Sequence, residues 1–583
     1  MTIATDSLLL ALLVGVVAII AIAVVTVLGQ RLGVAGPLLL VGLGIAFALI
    51  TRIEVRIDPE IILIGVLPPL LYSAAVQLPA IEFRRDFGPI AGLSVLLVVI
   101  SSLVLGLFFW MVIPSVGLAL GVALGAILSP TDAVATSIVK RLGISPRVVT
   151  MLEGESLLND ATALVILRTA TVALASSFAF GNAIGAFAWG VLIAVVIGAI
   201  VGWLALRLRS WVGSSAANTA ISIAVPFLAY LPTEHFGGSG LVAAVVAGIV
   251  TGQGAPRRLT PEQRLSDTMN WRTIELVLEG AVFLVMGLEL RDIVATNADT
   301  DNLWHPAWLA LSALGIILAI RAVYVTGLVW TQSRRARRYD RERLEGFTAR
   351  IDQMQAGEVE IPQRRGFPTD PVGRERRFAS VRRRVSRLLT DIDYYQASPL
   401  GWRHGTIIVW AGMRGVVTLA AAQTLPRDDP NVTQRALLVF VAFLVAFFSL
   451  MLQGFTLPWV VRALGLRGSG AEAVSSEERA RLDEQLREAA AAVLAGGGLT
   501  QRDGTPFSED FVARVGERMS RAPDDDQTAL AHEMVQLRLI AIEAMRTRLD
   551  ELGHDGSFST AALRHALAEL DADQLSLELR LDD

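Results

Sequence analysis

The chain contains no cysteine, one lysine (Lys140) and six histidines among 583 residues. Without cysteine there is no disulfide framework, no zinc–thiolate site and no cysteine nucleophile. HExxH does not occur either, so a zinc protease of that type is not expected. Charged residues are scarce at 18%, against roughly 25% in soluble domains. Nearly every cationic side chain is arginine, so a single surface arginine carries little information.

What the chain has is apolar surface. Hydrophobic residues make up 53%, and the 50 glycines bring the apolar share to about 62%, beyond the roughly 45–50% of a soluble domain. The excess is gathered into runs of about 20 residues, the length of a membrane-crossing helix. The expected fold is therefore an all-α polytopic membrane protein. Thirteen spans are read near 8–28, 34–51, 59–78, 86–113, 115–139, 149–176, 181–206, 215–231, 236–254, 270–290, 306–332, 403–425 and 432–461. The opening MTIATDSLLL has no basic region and no cleavage site after it, so the first span is expected to be retained.

Loops after odd-numbered spans carry eleven basic residues, Arg147 and Arg209 among them, and those after even-numbered spans five. The positive-inside rule then puts the N-terminus outside and the C-terminus in the cytoplasm. The connection 333–400 falls on the cytoplasmic side with 16 arginines against 10 acids. It reads as a solvated insert, or alternatively as a surface for anionic lipid headgroups. From 468 onward the balance reverses to 24 acids against 12 arginines. Apolar spacing there predicts a small cytoplasmic helical domain over 468–583, structural or regulatory, behind a transmembrane domain over 1–467.

An ionisable side chain at mid-membrane costs at least ~2.5 kcal/mol and normally faces a cavity or a partner. Span five holds Pro130 and Asp132 in LSPTDAVATS, and span six holds Glu153, Glu155, Ser156, Asn159 and Asp160 in LEGESLLNDATALV. Glu279, Arg321 and Arg414 lie in spans ten, eleven and twelve. At about 100° per residue the five polar residues of span six share one stripe, with Leu157, Leu158 and Ala161 facing elsewhere. Such a stripe lines either a water-accessible cleft or a packing seam. Pro130 removes a donor and disfavours helical geometry at Ser129, freeing carbonyls near Ser129 and Thr131. Carbonyls, hydroxyls and a carboxylate are hard oxygen ligands suited to a hard cation. Span twelve has a comparable weak point at Gly412–Gly415. Two broken helices at equivalent, oppositely directed positions would make spans 1–6 and 8–13 inverted repeats.

LPPLLYSAA (67–75), SPTDAVAT (129–136), EGESLLNDATALV (153–165), EGAVFLVMGLEL (279–290), Arg321 and GMRGVV (412–417) together resemble the monovalent cation/proton antiporters of the NhaP/NHE type, over roughly 8–462. The resemblance implies a bacterial cell-membrane exchanger of sodium for protons, a homodimer, with no cofactor, no nucleic-acid partner and no enzymatic activity. By that likeness Asp160 binds cation or proton, while Ser156 and the Thr131 carbonyl complete the shell. Asn159, where electrogenic relatives have a second Asp, implies electroneutral one-for-one exchange. Asp132 would balance the positive ends of the crossing helices, Arg321 would pair with Glu155, and Arg414 would support the crossing with Glu279 as its acidic partner. Ser73 departs from the acidic residue of many members, leaving one carboxylate fewer or a water in its place, and Ala133 departs from a common proline. Potassium or lithium in place of sodium stays open. A cation channel could use the same oxygens, but the sequence has no TVGYG-like filter segment. A hydrolase built on Gly154-x-Ser156 lacks the second glycine and any histidine in span six. Gly198-x-x-x-Gly202 in span seven would permit close helix packing.

Overall fold

Long runs of Leu, Val, Ile, Ala and Gly must satisfy their backbone internally where no water is present, and the helix does so within one segment. The computed structural model describes residues 2–32, 34–51, 58–132, 134–175, 180–297, 304–338, 400–425, 434–468, 476–496, 499–500, 505–520 and a few short stretches near the C-terminus. Nearly all of these residues are helical, and no strand is found among them beyond one isolated bridge between Thr500 and Pro506. The helices are α1 (Thr2–Leu32), α2 (Gly36–Thr51), α3 (Leu67–Gln77), α4 (Ala80–Arg85), α5 (Phe87–Ala91), α6 (Leu97–Val112), α7 (Gly117–Leu128), α8 (Val134–Arg141) and α9 (Pro146–Ala175). They continue as α10 (Phe180–Trp211), α11 (Ser215–His235), α12 (Gly240–Arg258), α13 (Pro261–Asn297), α14 (Trp304–Arg338), α15 (Trp402–Trp410), α16 (Val416–Gln423) and α17 (Arg435–Ala463). The insert expected over 333–400 lies largely outside the described residues, its first residues continuing α14 to Arg338.

By length and composition alone, five described helical stretches could cross a membrane: Phe87–Val112, Ala188–Trp211, Ser215–His235, Trp304–Arg334 and Arg435–Ala463. Shorter apolar helices cover Leu13–Gly29, Gly36–Thr51, Ile61–Gln77 and Pro114–Leu128. Large apolar side chains such as Ile20, Leu49, Trp203 and Phe455 stand exposed on their outer faces, as a lipid-facing surface requires.

Residues Met1–Ala473 form one compact unit and Val474–Asp583 another. In the second, the helices Ser476–Ala495 and Glu509–Ser520 pack on each other. In the first, small residues bring backbones close. A Cβ on Gly198 or Gly202 would lie 2.5 or 2.8 Å from the carbonyl oxygens of Ala243 or Ala247, so this glycine pair seats α10 on α12 within one chain. Two arginines read as loop cations are buried instead. Arg147 forks onto Asp86 at 2.9 and 3.0 Å, and Arg209 donates to Asp267 and Asn218 at 2.8 and 2.9 Å. Their charge holds helix ends together rather than sitting free in a loop.

Candidate functional site

The geometry begins with two broken helices. α7 stops at Leu128 and α8 starts at Val134, while α15 stops at Trp410 and α16 starts at Val416. Ser129 keeps right-handed helical angles (φ −81°, ψ −33°). The break thus falls one residue later than the proline rule suggested, because α7's final turn still holds Ser129 through its N–H to the Ala126 carbonyl at 3.2 Å. Ala133 lies outside the described residues. The two non-helical stretches meet where the Asp132 N–H donates to the Met413 carbonyl at 2.7 Å.

Charges match the four helix ends created there. Asp132 Oδ1 accepts the Val134 N–H at 3.2 Å at the start of α8. Its carboxylate also lies against Gly415, where any Cβ would overlap it, at the start of α16. A carboxylate suits these positive N-terminal ends. Arg414 is buried and donates Nε to the Leu128 carbonyl at 3.1 Å and Nη1 to the Gly412 carbonyl, while its N–H reaches Ser449 Oγ at 3.0 Å. The guanidinium serves carbonyls that the ends of α7 and α15 leave without intrahelical donors. The expectation that Arg414 pairs with Glu279 is corrected: Arg414 takes carbonyls at the crossing, and Glu279 lines the cavity described next.

On α9 the single polar stripe divides in two. Glu153, Ser156 and Asp160, together with Leu157, line a cavity of about 320 Å³. Glu155 and Asn159 turn the other way, toward the crossing. Taking Glu155 as zero, the cavity residues lie at about 100–200° and the crossing residues at about 0–40°. Leu157, expected to face elsewhere, falls inside the first arc. Asn159 Nδ2 donates to Thr131 Oγ1 at 2.6 Å, and Ser156 Oγ donates to the Thr131 carbonyl at 3.1 Å. Both fix the unwound stretch against α9. Arg321 grips Glu155 with both terminal nitrogens, Nη2 to Oε2 at 2.7 Å, and gives Nε to the Ile408 carbonyl at 2.9 Å. That ties α14 to α9 and to α15 through a pair almost wholly withdrawn from solvent.

The cavity is lined by Thr131, Asp132, Ser156, Asp160 and Glu279 among the expected residues. Asn159, Glu155, Arg321, Arg414 and Ser73 stand behind its wall. Asp160 is 5% exposed and its Oδ1 is buried with no hydrogen-bond partner. A buried polar atom left without a partner is costly unless something fills the place. The arrangement presents one partnerless carboxylate oxygen on the same cavity wall as a hydroxyl and the backbone carbonyl that it bonds, an oxygen-only set that can hold a proton or a small hard cation.

Among the lining residues that the sequence reading does not place in the site are Glu275, Gln77 and Lys140. Ser73 Oγ donates to Glu275 Oε1, and Gln77 Nε2 donates to the same oxygen at 2.9 Å. Lys140 pairs with Glu153. The available signal was spacing: Glu275 precedes Glu279, and Ser73 precedes Gln77, by one helical turn.

Comparison with known proteins adds a family. The family described as "Sodium/hydrogen exchanger, transmembrane" matches residues 16–351 and 380–463. The Escherichia coli protein named "Uncharacterized Na(+)/H(+) exchanger YjcE" is 29% identical over 563 residues, covering 92% of each chain. The "Na(+)/H(+) antiporter ApNhaP" of Aphanothece halophytica is 27% identical over 441 residues, 75% of this chain and 70% of that one. A "Sodium, potassium, lithium and rubidium/H(+) antiporter" of Bacillus pumilus is 31% identical over 268 residues, 44% of this chain and 40% of that one. Among solved structures, the sodium proton antiporter MjNhaP1 of Methanocaldococcus jannaschii superposes with a TM-score of 0.56 at 16% identity, over 79% of this chain and 99% of that one. That likeness concerns the fold.

Proposed function

Because the chain belongs to the sodium/hydrogen exchanger family, and is thus a membrane transporter of cations and protons, we propose that it exchanges one sodium ion for one proton, electroneutrally, through competition at Asp160. The observation that carries this reading is Asp160, whose Oδ1 is buried without a partner and which lines one cavity with Ser156 and Thr131. Sodium would be held by these three residues. Proton and sodium exclude each other at one carboxylate, so the loaded carrier crosses with one or the other. Asn159, committed to Thr131, adds no second charge to the site, and this supports the one-for-one stoichiometry.

Around this site we place thirteen spans with the N-terminus outside and the C-terminus in the cytoplasm, spans 1–6 and 8–13 forming inverted repeats whose broken members are α7/α8 and α15/α16. Asp132 and Arg414 hold the crossing, and Glu155–Arg321 holds the bundle around it. Residues 1–467 then act as the exchanger of a homodimer in a bacterial cell membrane. The connection 333–400 and residues 468–583 form its cytoplasmic insert and acidic helical tail. No cofactor takes part.

A second reading, potassium or lithium exchanged by the same mechanism, is suggested by the Bacillus pumilus relative, whose name gives both ions alongside sodium. The test uses purified protein in sealed vesicles with a trapped pH dye and an imposed proton gradient. Sodium-driven dequenching that is indifferent to clamping the membrane potential supports electroneutral sodium/proton exchange. Response to potassium or lithium alone transfers the reading to those ions, and flux that follows the clamped potential overturns electroneutrality.

A further inference from the structure

Besides Asp160, the cavity is lined by the carboxylates of Asp132, Glu153, Glu275 and Glu279, and Glu275 has an unusual set of partners. Glu275 stands on α13, and both of its donors come from α3: the Ser73 hydroxyl and the Gln77 amide meet on the single oxygen Oε1. Its Oε2 has no hydrogen-bond partner among the described residues. No arginine or lysine forms an ion pair with it among those residues. The one ammonium on the cavity wall, Lys140, is paired with Glu153. Two neutral donors on the first oxygen favour the charged form and fix its position without cancelling the charge. The second oxygen is left for a ligand.

Continuity with the exchange site supplies the second observation. Glu275 and Asp160 line the same cavity, and Asp160 is the buried carboxylate whose Oδ1 has no protein partner there. Glu275 lies partly buried on this wall beside Gln77, whereas Asp132 is tied to the helix crossing and Glu153 to Lys140. A further carboxylate in the same cavity lowers the cost of stripping water from the ion, because its oxygen can replace part of the hydration.

Resting on the reading of Asp160 as the exchanged-ion site, we propose that Glu275, held by Ser73 and Gln77, is a second cation-holding carboxylate that sets the apparent affinity of the exchanger for its monovalent cation. It does not carry the exchanged proton. It touches the cation on its way to Asp160 and determines at what concentration the site fills.

The decisive comparison is Glu275→Gln against Asp160→Asn in full-length protein reconstituted in sealed vesicles. In Glu275→Gln the introduced amide retains an oxygen that can accept from Ser73 and Gln77, so the substitution removes charge while keeping the contacts. The prediction is a rise of about tenfold in the sodium concentration giving half-maximal exchange, the effect of losing one carboxylate beside a hydrated monovalent ion. The maximal rate stays within about twofold, and Glu275→Asp restores part of the affinity. An unchanged half-maximal concentration in Glu275→Gln, with the protein inserted and monodisperse, overturns the proposal. So does a loss of maximal rate at unchanged half-maximal concentration, which would make Glu275 part of the moving machinery. Should Asp160→Asn retain sodium-driven proton flux while Glu275→Gln shifts the half-maximal concentration, the reading of Asp160 falls and the role of Glu275 in affinity stands.

Discussion

Replacing Arg321 with Ala removes the only cation bound to Glu155 among the described residues, a carboxylate 1% exposed and surrounded by α9, α14 and the crossing. Two guanidinium contacts are lost, and the Ile408 carbonyl loses its donor from Nε. The one remaining side-chain donor, Thr131 Oγ1, stands at 3.4 Å and cannot neutralise the charge. Leaving one member of a buried pair uncompensated costs about 3–5 kcal/mol. Replacing both members with apolar residues of similar volume is often neutral. Thermal unfolding of purified protein in detergent micelles should therefore show Arg321→Ala melting lower by roughly 5–10 °C. The double variant Arg321→Met/Glu155→Leu should recover most of that loss. A single variant within about 1 °C of the parent, or a double variant no better than the single, would refute the reasoning. Unchanged melting with exchange abolished would move the pair from scaffold to transport.

Other consequences follow from particular contacts. Gly415→Ala places a methyl group against the Asp132 carboxylate and should abolish exchange while the protein still inserts; vesicle assay and monodispersity in detergent check it. Asp86→Ala removes the carboxylate onto which the buried Arg147 forks, and should lower thermal stability by about 3 kcal/mol. Ser156→Ala frees the Thr131 carbonyl from its hydroxyl donor and removes a ligand, so half-maximal sodium should rise about fivefold at near-constant maximal rate, a loss on the order of 1 kcal/mol. Competition at one carboxylate further requires that acidifying the cation-loading side raise half-maximal sodium without lowering the maximal rate. A fall in maximal rate alone would contradict it.

Much of the site was legible because an ionisable residue in an apolar run is conspicuous. Asp132, Glu155, Asp160, Arg321 and Arg414 stand out from their spans by composition, and Pro130 marks a break. The pairing of Arg321 with Glu155 joins two such residues that had nowhere else to go. What sequence could not give was direction. The polar stripe on α9 spans an arc wide enough to serve two surfaces, and only the position of its neighbours separates Asp160 in the cavity from Asn159 on Thr131. Arg414 was matched to an acid because charge suggests charge, whereas the crossing leaves helix-end carbonyls that a guanidinium satisfies equally well. Arg147 and Arg209 look like loop cations in the sequence because Asp86 and Asp267, which they bind, lie 61 and 58 residues away. Glu275 escaped notice for a similar reason, since Ser73 and Gln77 reach it from a helix about 200 residues earlier.

The central claim is that one carboxylate, Asp160, takes cation and proton in turn. Sodium-driven proton flux in sealed vesicles, compared between the parent protein and Asp160→Asn at equal reconstituted amounts, tests it most directly. The account predicts flux in the parent and none in the variant, with insertion and melting temperature preserved. Flux in Asp160→Asn at a rate comparable to the parent would contradict it.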